Sequence, residues 1–483
     1  MRSPKDTHPT MADTPRTLLE RPSRRLARRQ MLQRCSLGFG SLALADLLTR
    51  EAQGGKPEGL SGLHFPAKAK RIIFLFMHGG PSHVDTFDYK PELQSRDGEP
   101  LPIEKPTVQF SSTGKLLASP WSFRQHGECG AWVSELFPHV AGAVDDICFL
   151  KSVHGTNAAH GGALLSLHTG TDTFVRPSLG SWLVYGLGSE NENLPGFITI
   201  CPTYGHGGVN NWSSAFLPAR YQGIPLGKAN SPADQVTIRN LQPSLSRSRQ
   251  RRQLDFLQAL NTEQLSDNGR DAALEARIES FELAFRMQTE APELLNVESE
   301  TAATRQLYGL DDARTSHFAR QCVLARRCVE KGVRFVQCTH SYKWDQHGGL
   351  RQRLPRNAAE VDKPIAGLLT DLKSRGLLDD TLVLWGGEFG RTPTAQGDRN
   401  GRDHNPEGFT MWMAGAGVKP GFSYGETDPW GYYSSVDKLH VHDLHATILH
   451  LMGIDHEKLT YRFAGRDFRL TDVAGRVAKQ ILS

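Results

Sequence analysis

The chain has 483 residues and a formal net charge of +4, long enough for one large α/β domain with insertions or for two domains. Residues 1–34 hold nine Lys/Arg and three Asp/Glu, so the remainder carries about −2. With no interleaving of aromatic and basic residues, that balance excludes a nucleic-acid binder. No segment reaches the ~20 consecutive apolar residues of a membrane span, and seven cysteines without a CxxC pair exclude a zinc ribbon or a dithiol redox motif.

Arg28 and Arg29 stand in Ser23-Arg-Arg-Leu-Ala-Arg28-Arg29-Gln-Met-Leu-Gln-Arg34, ahead of Leu37-Gly-Phe-Gly-Ser-Leu-Ala-Leu-Ala-Asp-Leu-Leu48. A basic region, a short apolar run and small residues near Ala43-Leu-Ala45 predict a twin-arginine export signal over 1–48 and a periplasmic or secreted protein. The bland alternative is a basic amphipathic helix or a disordered tail. Cys35 follows Gln33-Arg34, where a lipoprotein signal requires small residues, so no lipid anchor and no stable membrane insertion are expected. Residues 49–70, rich in Gly, Lys and Pro, read as a linker into a domain over 71–483.

Arg71-Ile-Ile-Phe-Leu-Phe-Met77 is a continuous apolar run, as a strand buried on both faces requires. Further strands are expected at Ile147–Val153, Phe197–Cys201, Val333–Thr339, Leu382–Trp385 and Thr410–Ala414. Helices are expected at Ser134–Val144, His160–His168, Leu179–Leu187, Thr315–Lys331, Val361–Gly376 and Leu444–Leu451. Apolar strands alternating with amphipathic helices imply a mostly parallel sheet with helices on both faces. Residues 202–300 break the rhythm with a loop-rich stretch and two charged helices, Arg247–Gln258 and Asp271–Thr289, read as an insertion or cap. Arg249, Arg251 and Arg252 there read as a solvated helix face rather than an anion site. Cys148, Cys201 and Cys338 end apolar runs and read as buried thiols, although an oxidising compartment leaves disulfides open.

Four clusters follow expected strands, where ligands bind in such sheets. The first is His78, Ser82, His83, Asp85 and Asp88; the second is His154, Asn157 and His160. The third is His340, Asp345 and His347; the fourth is Glu388, Arg391, Asp403 and His404. Imidazoles mixed with carboxylates suit Zn²⁺ or Mn²⁺, and carboxylates with waters suit Ca²⁺ or Mg²⁺. Such a cation polarises an ester oxygen and acidifies a bound water, while the planar fork of Arg391 matches an anionic ester. Each residue also has a plainer reading, since a lone Asp or His after a strand often caps the next helix. Gly79-Gly80-Pro81-Ser82 is either an anion nest or a bare turn. His440-Val-His442-Asp443-Leu-His445 fails as a dinuclear zinc motif at Leu444, and Asp443 reads as an N-cap or first-turn acid.

Several segments resemble the alkaline-phosphatase/sulfatase-like superfamily. Residues 361–390 resemble the sulfatase segment in which a helix and "G-L-x-D-x-T-L-V" lead to a metal-binding "S-D-H-G", here Gly387-Glu388-Phe389-Gly390. His442-Asp-Leu-His-Ala-Thr-Ile-Leu-His-Leu-Met-Gly453 resembles "D-L-x-P-T-I-L-x-L-x-G", and Ala464-Gly-Arg-Asp-Phe468 the "x-G-x-S-L" after it. His160-Gly-Gly-Ala-Leu-Leu-Ser-Leu-His-Thr-Gly170 is similar to the helix that carries the sulfatase nucleophile. With "GGPSHVDTFD", "GGEFGRTP" and the leader, the pattern resembles an exported branch catalogued as a domain of unknown function.

The resemblance implies an α/β sandwich, one or two divalent metals, and hydrolysis of sulfate or phosphate esters. It implies Asp345, His347, Glu388 and His404 as metal ligands, with Asp85 and Asp403 as weaker ones. Two departures stand out: His78 replaces the expected metal-binding aspartates, and His160 stands where a Cys, Ser or Thr nucleophile belongs. The expectation is therefore a metal-dependent hydrolase working through metal-activated water. His78 or His160 handles protons, Arg391 holds the anionic ester, and Ser82 and Asn157 contact substrate, possible substrates including sulfated carbohydrate. The metal is Zn, Mn or Ca. The rival is a non-catalytic carbohydrate- or partner-binding protein on a degenerate sulfatase-like scaffold.

Overall fold

A computed structural model of the chain describes residues 63–104, 112–232, 235–238, 241, 245–268, 272–396 and 400–483. The expected export signal and the first part of the expected linker lie outside the described residues. Residues 64–70, expected as the linker's end, are fastened: His64 and Phe65 donate backbone hydrogen bonds to Gly453 O, and Lys68 and Ala69 to Leu451 O.

Nine strands form the main sheet: β1 (Arg71–Met77), β2 (Ile147–His154), β3 (Phe197–Ile200), β4 (Ile224–Leu226), β5 (Phe335–His340), β6 (Thr381–Gly386), β7 (Phe409–Ala414), β8 (Phe422–Tyr424) and β9 (Leu439–His440). The order is β8-β2-β7-β6-β1-β5-β3-β4, with β9 also pairing β2. β1 pairs in parallel with β5 and β6, so Met77 lies beside His340 and Phe76 beside Gly386. β7 is antiparallel to both β6 and β2. The other pairings in this sheet are parallel.

Alternation along β1 divides the core into two layers. Ile73, Leu75 and Met77 join the layer of α5 (Ser316–Glu330) and α6 (Leu350–Ser374). Ile72, Phe74 and Phe76 join that of α1 (His160–Thr169), α2 (Leu179–Leu187) and α7 (Val441–Leu451). All six side chains are at most 2% exposed, and burying each contributes about 1.5–3 kcal/mol. This α/β sandwich with a mostly parallel sheet is the architecture expected from the sequence.

Two expectations need correction. Residues 134–144 are not a helix: a short strand ends at Ser134 and a 3₁₀ turn spans Val140–Asp146. Pro138 lacks an N–H and disfavours helical backbone at Phe137. α6 starts eleven residues earlier than expected, at Leu350, and runs through Pro355 and Pro364. Within 202–300, β4 extends the main sheet beside β3. Beyond it lie the helices α3 (Arg247–Asn268) and α4 (Ala272–Leu295).

Candidate metal centre

The carboxyl ends of β1, β5 and β6 coincide, so residues 78–80, 341–347 and 387–391 meet along one edge. β2 feeds the same edge and leads to His160 at the start of α1. Because β7 runs the other way, the loop before it, carrying Asp403 and His404, arrives there too. A glycine is required at the crossing. Gly79 has φ +119°, and a Cβ on it would stand 2.7 Å from Asp345 N. Its N–H donates to Glu388 Oε1 at 3.0 Å.

His160, Asp345, His347 and His404 form one group whose ligand atoms all lie within 4.8 Å of one another. Asp345 Oδ1 is the focus. His347 Nε2 is 2.9 Å away, His404 Nε2 3.2 Å and His160 Nε2 3.4 Å. In each ring the other nitrogen is committed to an acceptor. His160 Nδ1 donates to Glu388 Oε1 at 2.7 Å, His347 Nδ1 to Gln396 Oε1 at 2.6 Å, and His404 Nδ1 to Ala158 O at 2.6 Å. A ring so held turns its Nε2 lone pair toward Asp345 when it carries no second proton. Lone pairs converging on a carboxylate repel unless a cation lies among them, and acceptor-anchored imidazoles are how metal-binding histidines are oriented. The residues present therefore fit a divalent cation with nitrogen and oxygen ligands.

Burial keeps His404 neutral, lowering it to about 4 against the pull of Asp345. Burial alone would raise Asp345, but the close approach of His160, His347 and His404 and the charge of Arg391 hold it far below the carboxylate range. Burial also opposes ionisation of Glu388, yet His160 and the charges of His78 and His160 bring it to about 2. For His160, burial lowers the pKa and the two carboxylates more than restore it, so it is raised.

A second group, His78, His160 and His206, shares His160 with the first. His78 Nε2 lies 3.4 Å from His206 Nδ1, and burial lowers His78 to about 4. Tyr342 covers the junction. Its ring centroid is 4.8 Å from those of His78 and His206, and its hydroxyl donates to Asp345 Oδ2 at 2.7 Å.

Other expected site residues are elsewhere or do other work. Glu388 is not in either group; it stands behind His160 and orients it. Arg391, fully buried, donates to Gly80 O, Arg402 O, Gly79 O and Asp345 Oδ1. It positions Asp345, and a substrate anion has no access to it. Asp85 is in neither group: it forms a buried bidentate pair with Arg402 at 2.7 and 2.9 Å. Ser82 spends its hydroxyl on Asp85 at 2.6 Å. Asn157 accepts from Ala159 N and donates to Asp172, bracing the turn before α1. Asp403 Oδ1 accepts from His404 N at 2.8 Å and lies 3.8 Å from His347 Nδ1, a layer behind the first group. His340 is tied to Glu360 and Trp344. Asp443 closes a capping box with His440 at the start of α7.

His206, Tyr342 and Gln396 were not anticipated. His206 follows β3, so the strand-end rule that found the others points to it as well; the reading of 202–300 as a loop-rich insertion hid it.

A family model described as "Protein of unknown function (DUF1501)" matches residues 69–482. The chain belongs to this family. No curated protein matches it. Solved structures similar to this DUF1501 chain include the PsFucS1 sulfatase from Pseudoalteromonas sp., at 12% identity over 86% of this chain and 72% of that one, TM-score 0.33. The alkaline phosphatase from the Antarctic bacterium TAB5 shows 10% identity over 75% and 94%, TM-score 0.34. The phosphonate monoester hydrolase SpPMH from Silicibacter pomeroyi shows 13% over 72% and 71%, TM-score 0.32. At these scores the likeness carries no argument, and the architecture rests on the strand order itself.

Proposed function

We propose that this DUF1501 protein is an exported, metal-dependent hydrolase of sulfate or phosphate esters. The observation that carries the proposal is the convergence of three Nε2 atoms, each ring anchored through Nδ1, on Asp345 Oδ1. His160, Asp345, His347 and His404 would hold the cation, with Zn, Mn and Ca as candidates. A divalent cation there supplies Lewis acidity toward an ester oxygen and lowers the pKa of water. Glu388 fixes the ring of His160, and Arg391 fixes the carboxylate of Asp345. His78 and His206, whose pKa values burial lowers, are the groups to take a proton from water or return one to a leaving alcohol. The substrate class is an anionic ester, sulfated carbohydrate among them. The paired arginines at 28 and 29 support export by the twin-arginine machinery.

Ser82, the serine at the first turn, is engaged by Asp85, which favours direct attack by water over a covalent intermediate. The same fact favours a second reading, a non-catalytic binding protein on this scaffold. Turnover of aryl sulfates and aryl phosphates with added Zn²⁺, Mn²⁺ or Ca²⁺, compared between wild type and Asp345→Asn, separates the two. Metal binding with no turnover in any condition supports the binding reading. Absence of both metal and turnover sinks the proposal.

A further inference from the structure

α3 presents an apolar strip to solvent. On its inner face, Arg251 Nη1 donates to Glu282 at 2.8 Å, Gln258 donates to the same carboxylate, and Arg247 and Arg251 lie over the ring of Phe285 on α4. At 100° per residue, Phe256 and Leu260 lie about 140–180° from Arg251. They are 65% and 46% exposed, and Leu257 beside them is 42% exposed. Arg249, Gln253, Phe256, Leu260 and Glu263 follow a 4-3-4-3 spacing on this outer face, the spacing of a two-helix seam. Singly exposed apolar residues are ordinary, but an apolar pair in heptad register at mid-helix, flanked by opposite charges, is a pairing surface.

The charges choose the occupant. Exposed Arg249 and Arg252 lie on the amino side of Phe256, and exposed Glu263 on the carboxyl side of Leu260. A second α3 laid antiparallel about a twofold axis near residue 258 places Phe256 of one copy on Leu260 of the other. It also brings the arginine end of each against the glutamate end of its mate. A parallel pair would stack Arg249 on Arg249 and Glu263 on Glu263, which is repulsive. A twofold contact needs a self-complementary surface, and this helix is one in a single orientation.

We propose that α3 is a homodimerisation helix that joins two copies of the chain as an antiparallel pair through Phe256 and Leu260. The helix is about 33 Å long, and both hydrophobic positions are on the surface, so substituting them leaves the fold of each protomer intact.

Sedimentation velocity on the full chain across micromolar concentrations tests this. A monomer–dimer equilibrium is expected. Phe256→Glu with Leu260→Lys should weaken it roughly tenfold or more, about 1.4 kcal/mol. Arg252→Glu should weaken it, and Glu263→Arg in the same chain should restore it. Mixed Phe256→Cys and Leu260→Cys chains should cross-link to each other faster than either does to itself. A strict monomer, a dimer indifferent to these substitutions, or preferential Phe256→Cys self-linkage would overturn the proposal. So would co-sedimentation of a monomer with phosphatidylglycerol vesicles that the double variant abolishes, because the strip would then be a basic membrane-surface helix.

Discussion

His404 Nε2 faces Asp345 Oδ1 at 3.2 Å, while its Nδ1 proton is given to the Ala158 carbonyl at 2.6 Å. With burial holding the ring neutral, an unprotonated nitrogen confronts an anion, an arrangement that a cation converts from repulsion into two bonds. Metal should therefore stabilise the fold. At a hundredfold excess over Kd the gain is about 2.7 kcal/mol, read as a rise in Tm that chelator reverses. Glu388→Gln removes the anion that holds His160 Nδ1. It should weaken metal affinity by roughly 10–100-fold without unfolding the protein, measured by competition with a chromogenic chelator.

Asp85 and Arg402 are both fully buried and bound to each other. Asp85→Ala leaves the guanidinium without its counter-ion and should cost about 3–5 kcal/mol in urea unfolding. The fraction that stays folded should bind metal with unchanged stoichiometry. Loss of metal in a fully stable variant would return Asp85 to the ligand set.

Acid should loosen the C-terminal helix. His445 on α7 is buried, and burial lowers its pKa from 6.5 to about 3. The unfolded chain takes up this proton near pH 6.5, and the folded chain does so only near pH 3. Stability is thus fully present above 6.5 and falls as pH drops toward 3. At pH 5 this group removes about 2 kcal/mol. Urea midpoints compared above pH 7 and near pH 5 should show the loss, and His445→Gln should reduce it.

Five of the six described cysteines, Cys148, Cys201, Cys322, Cys328 and Cys338, are buried free thiols, and Cys129 is exposed. Burial raises Cys148 and Cys201 to about 12 and pushes the Cys322 thiol up as well, suppressing the reactive thiolate. A thiol reagent should label Cys129 in the folded protein and the other five after denaturation. Fast native labelling of any buried thiol contradicts this packing.

The sheet was legible because β1 is buried on both faces, and an unbroken apolar run over Ile72–Met77 that empties into a glycine-rich turn fits little but a central strand. The strand ends were legible for the same reason, and they led to His160, Asp345, His347 and His404. What each side chain does there was not legible. Glu388 and Arg391 sit at the same edge as Asp345, but only rotamer and burial separate a group that faces the candidate cation site from one that props its neighbour. His206 escaped because its loop has no regular pattern: Cys201 and His206 both adopt positive φ, a backbone choice that apolar periodicity does not encode. Pro138 was a visible breaker, outweighed by the apolar spacing around it.

The reversed direction of β7 gives the molecule one rim that carries the histidine cluster and one that does not. The chain approaches β7 through Asp403 and His404 and leaves it through Gly415 and Ala416, which pack against Leu378 and Thr381 at the foot of β6. Just beyond that turn, the exposed Lys419 and Pro420 are where an affinity tag or a fluorescent reporter can be grafted away from the histidine cluster. The same graft on the approach to β7 would fall among the histidines.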